Sequence, residues 1–437
     1  PVFVDYKKDM SQFEAQPGID VLYKKNETND IFTLIYVFNT GTENDPALNL
    51  AFNYLSYLGT DKMTAEEIAS KMYDIACSFY MNAGANQSSI QITGLSENMG
   101  KAMEIVEGLI AGAKPDEAIL ENCKADMLKS RADAKLNQSR CFGALQRYLF
   151  YGGDFIRRTT LTDPALQALT SEQLLAKIGG LMGKQHEVLY YGPQKEAEVK
   201  SALAEHHKVA ADLQPLEKKF STLLPTDANK VVLAQYDAKQ LYYLQFSNRG
   251  EKFDVAADPE ITLYNEYFGG GMNTIVFQEM REARGLAYTA WATLATPSNA
   301  NGDYSYYAFI ATQNDKMQKA VEAFDDIINN MPESEKAFGI AKEALVSRLR
   351  TERTVKDGVL WSYLRTRDLG LDAPRDKQIF EKVQSMTLDD VKAAQQKWVK
   401  GRKYVYGILG DIQDLDLNYL KTLGPIQTVS QEEIFGY

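Results

Sequence analysis

Residues 268–288 read Phe268-Gly269-Gly270-Gly271-Met272-Asn273-Thr274-Ile275-Val276-Phe277-Gln278-Glu279-Met280-Arg281-Glu282-Ala283-Arg284-Gly285-Leu286-Ala287-Tyr288. Three consecutive glycines end one helical pattern and free the backbone for a sharp turn. Asn273 and Thr274 are both residue types that cap a helix start. Ile275, Val276 and Met280 recur at helical spacing on one face, while Gln278, Glu279, Arg281 and Glu282 take the other. Gly285 stops the helix, and 286–294 alternates as a strand does. Arg281 is thus expected in a last helical turn and Tyr288, seven residues on, at the mouth of the next strand. A cation and a phenol delivered from adjoining element ends converge on one cleft. Each also has a plainer reading: a cation is favourable at any helix C-terminus, and tyrosine suits a half-buried strand. Gly269, Gly270 and Gly271 either end a helix or let the backbone approach another chain or lobe closely.

Outward from this stretch, the chain can be laid against itself at an offset of 217 to 218 residues. Met99, Lys101, Ala102 and Glu104 meet Met317, Lys319, Ala320 and Glu322, and Thr170 meets Thr387, each opening a helix. The strand pattern ending at Gly192 meets the one ending at Gly410. The reading is two copies of one domain, 1–207 and 230–437, joined by a linker, 208–229, that holds Pro215 and Pro225 and no sustained periodicity. In the first copy, 21–25 and 32–38 read as strands, 46–58 and 65–75 as helices, and 78–82 with 88–93 as a hairpin turning through Gly84. Long helices at 97–113 and 116–136 follow, and the strand 186–191 closes the copy. The second runs 231–236, 241–246, the glycine-rich stretch, a hairpin near 299–302, and helices from 314. The tail 424–437 carries no recognisable element. Strands, then a helical block, then a returning strand imply α+β, each domain a largely antiparallel sheet with helices packed on one face.

Composition removes several function classes. A net charge of −11 opposes binding to a phosphate backbone, so nucleic acid is not expected as a partner. No apolar run approaches the roughly 18 residues of a membrane span. The N-terminus, Pro1-Val2-Phe3-Val4-Asp5-Tyr6, has neither an initiator Met nor a signal-peptide pattern and reads as a piece of a longer chain or a mature form. Cys77, Cys123 and Cys141 are odd in number, widely spaced and without a CxxC, so buried free thiols are expected. Of three histidines, His186 starts a strand, and His206 and His207 are adjacent at a helix end. Neighbours on a helix point about 100° apart and do not readily share a metal. No Lys-Ser/Thr follows Gly269–Gly271, so the glycines are not a phosphate cradle.

The opening stretch closely resembles the glycine-rich helix–strand segment of M16 (pitrilysin-type) zinc metallopeptidases, which include insulin-degrading enzyme and the mitochondrial processing peptidase. The glycines, Phe277-Gln278, Arg281-Glu282 and Gly285-Leu286-Ala287-Tyr288 fall in the family's order. The resemblance covers nearly the whole chain as two tandem homologous M16-type domains. It implies that Arg281 and Tyr288 match a pair that contacts bound peptide in the non-catalytic half of long family members. There a hydroxyl and a guanidinium can stabilise the oxyanion of a carbonyl under attack. Active members carry His-x-x-Glu-His on a helix of the first domain. Gly59-Thr60 and Ala65-Glu66-Glu67-Ile68, which flank that helix, are present here, yet its motif positions read Leu50-Ala51-Phe52-Asn53-Tyr54. Leu50 and Tyr54 replace the imidazoles, Asn53 replaces the carboxylate base, and the third ligand would fall near Lys129-Ser130-Arg131, where there is no acid.

The expectation is therefore a non-catalytic half of a zinc-dependent M16 metallopeptidase, inactive alone and without catalytic residue, metal or cofactor of its own. Zinc belongs to a partner catalytic half, in the same polypeptide or a separate subunit. The chain contributes one wall of a chamber for unfolded peptides, which an exposed strand edge can bind by main-chain pairing. The alternative is an inactive scaffold or binding subunit of a larger complex. An independent peptidase with an unusual metal site would have to carry metal when purified. Long members of this kind are often envelope proteins of bacteria, which points towards the periplasm.

Overall fold

The computed structural model describes all 437 residues, Pro1–Tyr437. Two six-stranded sheets form it. The first contains β1 (Ser11–Gln16), β2 (Ile19–Lys25), β3 (Ile31–Phe38), β4 (Cys77–Ala83), β5 (Ser88–Leu95) and β6 (His186–Gly192), in the order β1-β2-β6-β3-β5-β4. The second contains β7 (Lys230–Gln235), β8 (Gln240–Ser247), β9 (Thr289–Ala295), β10 (Ser305–Gln313), β11 (Val405–Gly410) and β12 (Ile426–Val429), in the order β12-β7-β11-β8-β10-β9. Without their outer strands β1 and β12, both sheets follow one order of five. Only β2–β6, β7–β11 and β7–β12 are parallel; every other pairing is antiparallel. The class is α+β, with two sheets of one shared strand order in tandem. Residues 208–229 between them contain no helix or strand.

The strand sequences carry a second message in their lack of alternation. Residues 34–38 of β3 and all of β11 are buried without a break, as strands covered on both faces are. Each sheet packs its own helices on one face, as expected. The other face is filled by a helix from the opposite half. Cys141, Phe142, Leu145 and Leu149 of the helix Gln138–Tyr151 lie against Val232, Leu244, Phe309, Val405 and Leu409 of the second sheet. Val359, Leu360 and Leu364 of the helix Gly358–Asp368, with Tyr6 and Met10, lie against Leu22, Ile35, Val37 and Leu189 of the first. Gly407 in β11 makes room for this, because a Cβ there would sit 2.7 Å from Leu149 Cδ2.

Two outer strands escaped the sequence reading. β1 is short and alternates weakly. β12 lies in the tail that reads as featureless, and it forms because Val429, Ile434 and Phe435 find the same apolar layer as Leu145. Tail and crossing helix therefore stabilise one another through contacts distant in sequence.

Because each half covers the other's sheet, the halves are expected to unfold together. Leu145→Ala and Leu360→Ala, each at a fully buried position, should each cost about 2–4 kcal/mol. Both should shift a single denaturation transition. Two resolved transitions, with only one moved by each variant, would show the halves to be independent.

Candidate functional site

The zinc-motif positions lie on the helix Leu48–Leu55. Leu50 and Tyr54 are completely buried in the first core, and Asn53 faces solvent. The Tyr54 hydroxyl accepts the Asp116 N–H at 2.9 Å and lies 2.8 Å from Ser171 Oγ, which itself donates to Glu117 at 2.8 Å. The phenol thus ties the start of the helix Glu117–Lys135 to the helix Ser171–Leu181. Further along, Lys129 and Ser130 are exposed and Arg131 pairs with Asp163 at 2.7 Å. These residues do not fit a zinc ion. An aliphatic chain, a phenol held by two partners and a guanidinium supply none of the nitrogen, sulfur or carboxylate ligands that zinc takes. Nowhere do three His, Cys, Asp or Glu side chains gather in a metal-holding arrangement.

The histidines do something the sequence hid. His186, at the start of β6, meets His207, 21 residues later, with their Nε2 atoms 2.8 Å apart. His186 Nδ1 is 2.7 Å from the Lys184 carbonyl, which only accepts, so that nitrogen carries the proton and Nε2 accepts from His207. His207 Nδ1 lies 3.0 Å from Glu107 Oε2. Glu107 also accepts from the Tyr36 hydroxyl at 2.6 Å and from the Lys208 N–H at 2.7 Å. All four side chains are buried and every polar atom in the chain of contacts has a partner. Burial, and then the neighbouring His207, lower the His186 pKa to about 4; the Lys184 carbonyl opposes this. The only legible signal was Glu107 itself, a carboxylate among Met103, Val106 and Ile110 on an apolar helix face. The repeat offset pairs Glu107 with Asp325, whose carboxyl burial pushes up to about 6, with Glu322 adding to it and no base opposing it.

In the glycine-rich stretch, Thr274 precedes a helical turn, Ile275–Phe277, that widens into a π-helical segment, Gln278–Ala283. Such widened turns recur at functional sites. Arg281 is exposed, its guanidinium 5.1 Å above the Phe277 ring and its Nε 3.8 Å from Glu282. Tyr288 is 54% exposed, and its hydroxyl accepts from Gln313 Nε2 at 3.1 Å. No hydrogen bond joins Arg281 to Tyr288. Gly269 approaches β9 closely: its carbonyl accepts the Ala292 N–H at 3.1 Å, and a Cβ would lie 2.0 Å from the Ala292 oxygen. Asn265 takes both the N–H (2.9 Å) and the carbonyl (3.0 Å) of Leu294. Gly270 is exposed, and Gly271 faces open space. The outer edge of β9 is therefore largely occupied. At the other sheet's edge, residues 78–82 of β4 make no hydrogen bond beyond their pairing with β5.

Comparison with known proteins bears directly on this arrangement. A family model described as the peptidase M16 inactive domain matches residues 185–345. The solved M16 inactive domain from Pseudomonas fluorescens superposes with a TM-score of 0.70 at 18% identity, over 92% of this chain and 98% of that one. The chain is therefore similar to M16 peptidases, through residues 185–345 in sequence and through nearly its whole length in fold. An uncharacterised zinc protease of Streptomyces coelicolor is 22% identical over 266 residues, 56% of each protein, so the match spans little more than half of that relative. The periplasmic protease PqqL of Escherichia coli superposes at TM-score 0.70 and 14% identity over 94% of this chain, which spans 46% of it. The chain shares its fold with the Pseudomonas fluorescens inactive domain, while the helix Leu48–Leu55 is given over to packing. No helix is long and apolar enough to cross a membrane.

Two outcomes follow from this geometry. The folded state holds His186 neutral down to about pH 4, whereas the unfolded chain protonates it near 6.5. Stability from this group is therefore complete above about pH 6.5 and drains as pH falls towards 4, by about 3 kcal/mol. Urea unfolding across that range should show a shallower pH dependence in His186→Gln, and parallel profiles would refute the linkage. Gly269→Ala is expected to cost about 1–3 kcal/mol in thermal melts. Gly271→Ala, in open space, should be near neutral, and equal effects would deny Gly269 its close-approach role.

Proposed function

We propose that this chain is the non-catalytic half of a zinc-dependent M16 metallopeptidase, closing on a catalytic half to form one wall of a peptide chamber. The observation that carries the reading is a pairing of loss and retention. Leu50 and Tyr54 are sealed in a core at the ligand positions, while Arg281 and Tyr288 stay exposed with their polar groups turned to no buried partner. Tyr288 stands half in solvent beside a cavity. Zinc and the hydrolytic step belong to the partner half, fused or separate. The residues of this chain bind and orient an extended peptide: the Arg281 guanidinium and Tyr288 hydroxyl offer donors to its carbonyl oxygens. The free edge of β4 offers main-chain groups to a peptide strand. The description of PqqL as a periplasmic protease supports a periplasmic setting.

The test is reconstitution. The chain is combined with a zinc-bearing M16 half, and cleavage of an unstructured fluorogenic peptide is followed. Tyr288→Phe and Arg281→Ala are each expected to lower kcat/KM by roughly 10- to 100-fold, on the scale of a lost transition-state donor, with assembly of the halves unchanged. Undiminished rates in both variants would remove the assigned role. A stable complex without peptide turnover would make the chain a scaffold subunit instead.

A further inference from the structure

The stretch that leaves the first domain is rooted in the buried chain of contacts from Lys184 through His186 and His207 to Glu107, and that chain holds a fixed number of hydrogens. The Lys184 carbonyl takes the Nδ1 hydrogen of His186, so His186 Nε2 only accepts, and the hydrogen in the 2.8 Å contact comes from His207 Nε2. His207 Nδ1 then faces Glu107 Oε2 at 3.0 Å, an oxygen that already receives the Tyr36 hydroxyl at 2.6 Å. A bare nitrogen lone pair against a carboxylate oxygen is repulsive, so one further proton lies between them, on the imidazole or on the carboxyl. With that proton, every contact joins a donor to an acceptor. A second proton has no such place. On His186 Nε2 it would set two N–H groups head to head at 2.8 Å, where all four side chains are buried.

The same residues hold the chain that follows. Glu107 Oε1 accepts the Lys208 N–H at 2.7 Å, and the Met182 carbonyl accepts the Ala210 N–H at 3.2 Å. Gln214 donates to the Gly183 carbonyl at 2.9 Å and accepts from the Gln185 N–H at 2.8 Å, while Leu213 is buried in the first core. No other charge compensates the histidines. β3 presents Tyr36, the helix Met99–Gly112 presents Glu107, and β2 sets Ile19 opposite His186. His206 turns to Glu104 and Glu205, the Lys208 ammonium to the Glu205 carbonyl, and Glu187 to Arg367 on the other face of the sheet.

We propose that Glu107, His207 and His186 form a proton-operated latch on residues 207–214: one shared proton closes it, and a second, taken up in acid, parts the two histidines and frees the stretch while both sheets stay folded. The crossing helices Gln138–Tyr151 and Gly358–Asp368 contain none of these groups and keep the halves together when the latch opens. In the closed latch, burial and then His207 keep His186 neutral down to about pH 4. Once released into water it regains the ordinary imidazole affinity for protons, near 6.5. The closed form is therefore fully favoured above that value and loses ground as pH falls towards 4.

Hydrogen–deuterium exchange of the whole chain, corrected for the intrinsic pH dependence of exchange, tests this at the Lys208, Ala210 and Gln214 amides. Between about pH 7.5 and about pH 4.5 their protection should fall roughly 30-fold or more. They should exchange through a local opening insensitive to low urea, whereas the amides of β8 should open only in a urea-sensitive step. The carboxamide of His186→Gln can donate to Lys184 and accept from His207 but cannot take up the second proton. In that variant the fall should vanish, with protection at neutral pH retained. Protection independent of pH in the unmodified chain, a fall that persists in the variant, or exchange at these amides that follows urea as β8 does, overturns the latch. Should the variant not fold, the unmodified chain decides the matter by imidazole nitrogen NMR, which has only three histidines to assign. His186 is expected as the Nδ1–H tautomer at neutral pH. An Nε2–H or doubly protonated His186 there overturns the hydrogen count, and the latch with it.

Discussion

Each sheet of this molecule has two apolar faces and enough helix of its own to cover one. An exposed apolar sheet face is costly in water and invites association. Here the deficit is met by reciprocity: the helix Gln138–Tyr151 seals the second sheet, and the helix Gly358–Asp368 seals the first. Everything else depends on this exchange. It holds the two halves as one body, and it creates the layer on which β12 and the last helix form. It also leaves the outer edge of β4, rather than the sheet faces, as a place where a strand can be met.

The same economy explains the fate of the zinc-motif helix. A catalytic helix must keep two imidazoles and a carboxylate at the surface of a cleft, poorly packed and dependent on a metal. With Leu50 and Tyr54 in those positions, the helix Leu48–Leu55 becomes a packing element, and Tyr54 satisfies backbone and side-chain groups of two neighbouring helices. This arrangement leaves no ligand behind. The exposed polar side chains of the glycine-rich stretch lie in the other half, Arg281 on the widened turn and Tyr288 beside a cavity.

Buried charge is handled differently in the two cores. Glu107 sits in a complete network, accepting from the Tyr36 hydroxyl and the Lys208 amide and lying 3.0 Å from His207 Nδ1, so its burial is compensated. It also anchors the first residue of the stretch between the halves. Asp325, at the matching place in the second half, has no base, and burial favours its neutral form. A repeated backbone therefore carries two unequal solutions to the same problem of a carboxyl under a sheet.

Local information was enough for the order of the strands from β2 to β11 and the main helices among them, because period-two and helical spacing are properties of neighbouring residues. It was also enough to exclude zinc at Leu50-Ala51-Phe52-Asn53-Tyr54, since no tertiary arrangement turns a leucine into a ligand. The spacing of Arg281 and Tyr288 was equally plain, although not that Arg281 would rest on Phe277 or that Tyr288 would border a cavity. What the fold alone decided is non-local. It brought His186 to His207, set Gly269 against Ala292, closed the β9 edge while leaving β4 open, and sent one helix of each half across to the other sheet. Those outcomes depend on which apolar surfaces meet and which buried polar atoms find partners, and neither quantity is defined until the chain has closed on itself.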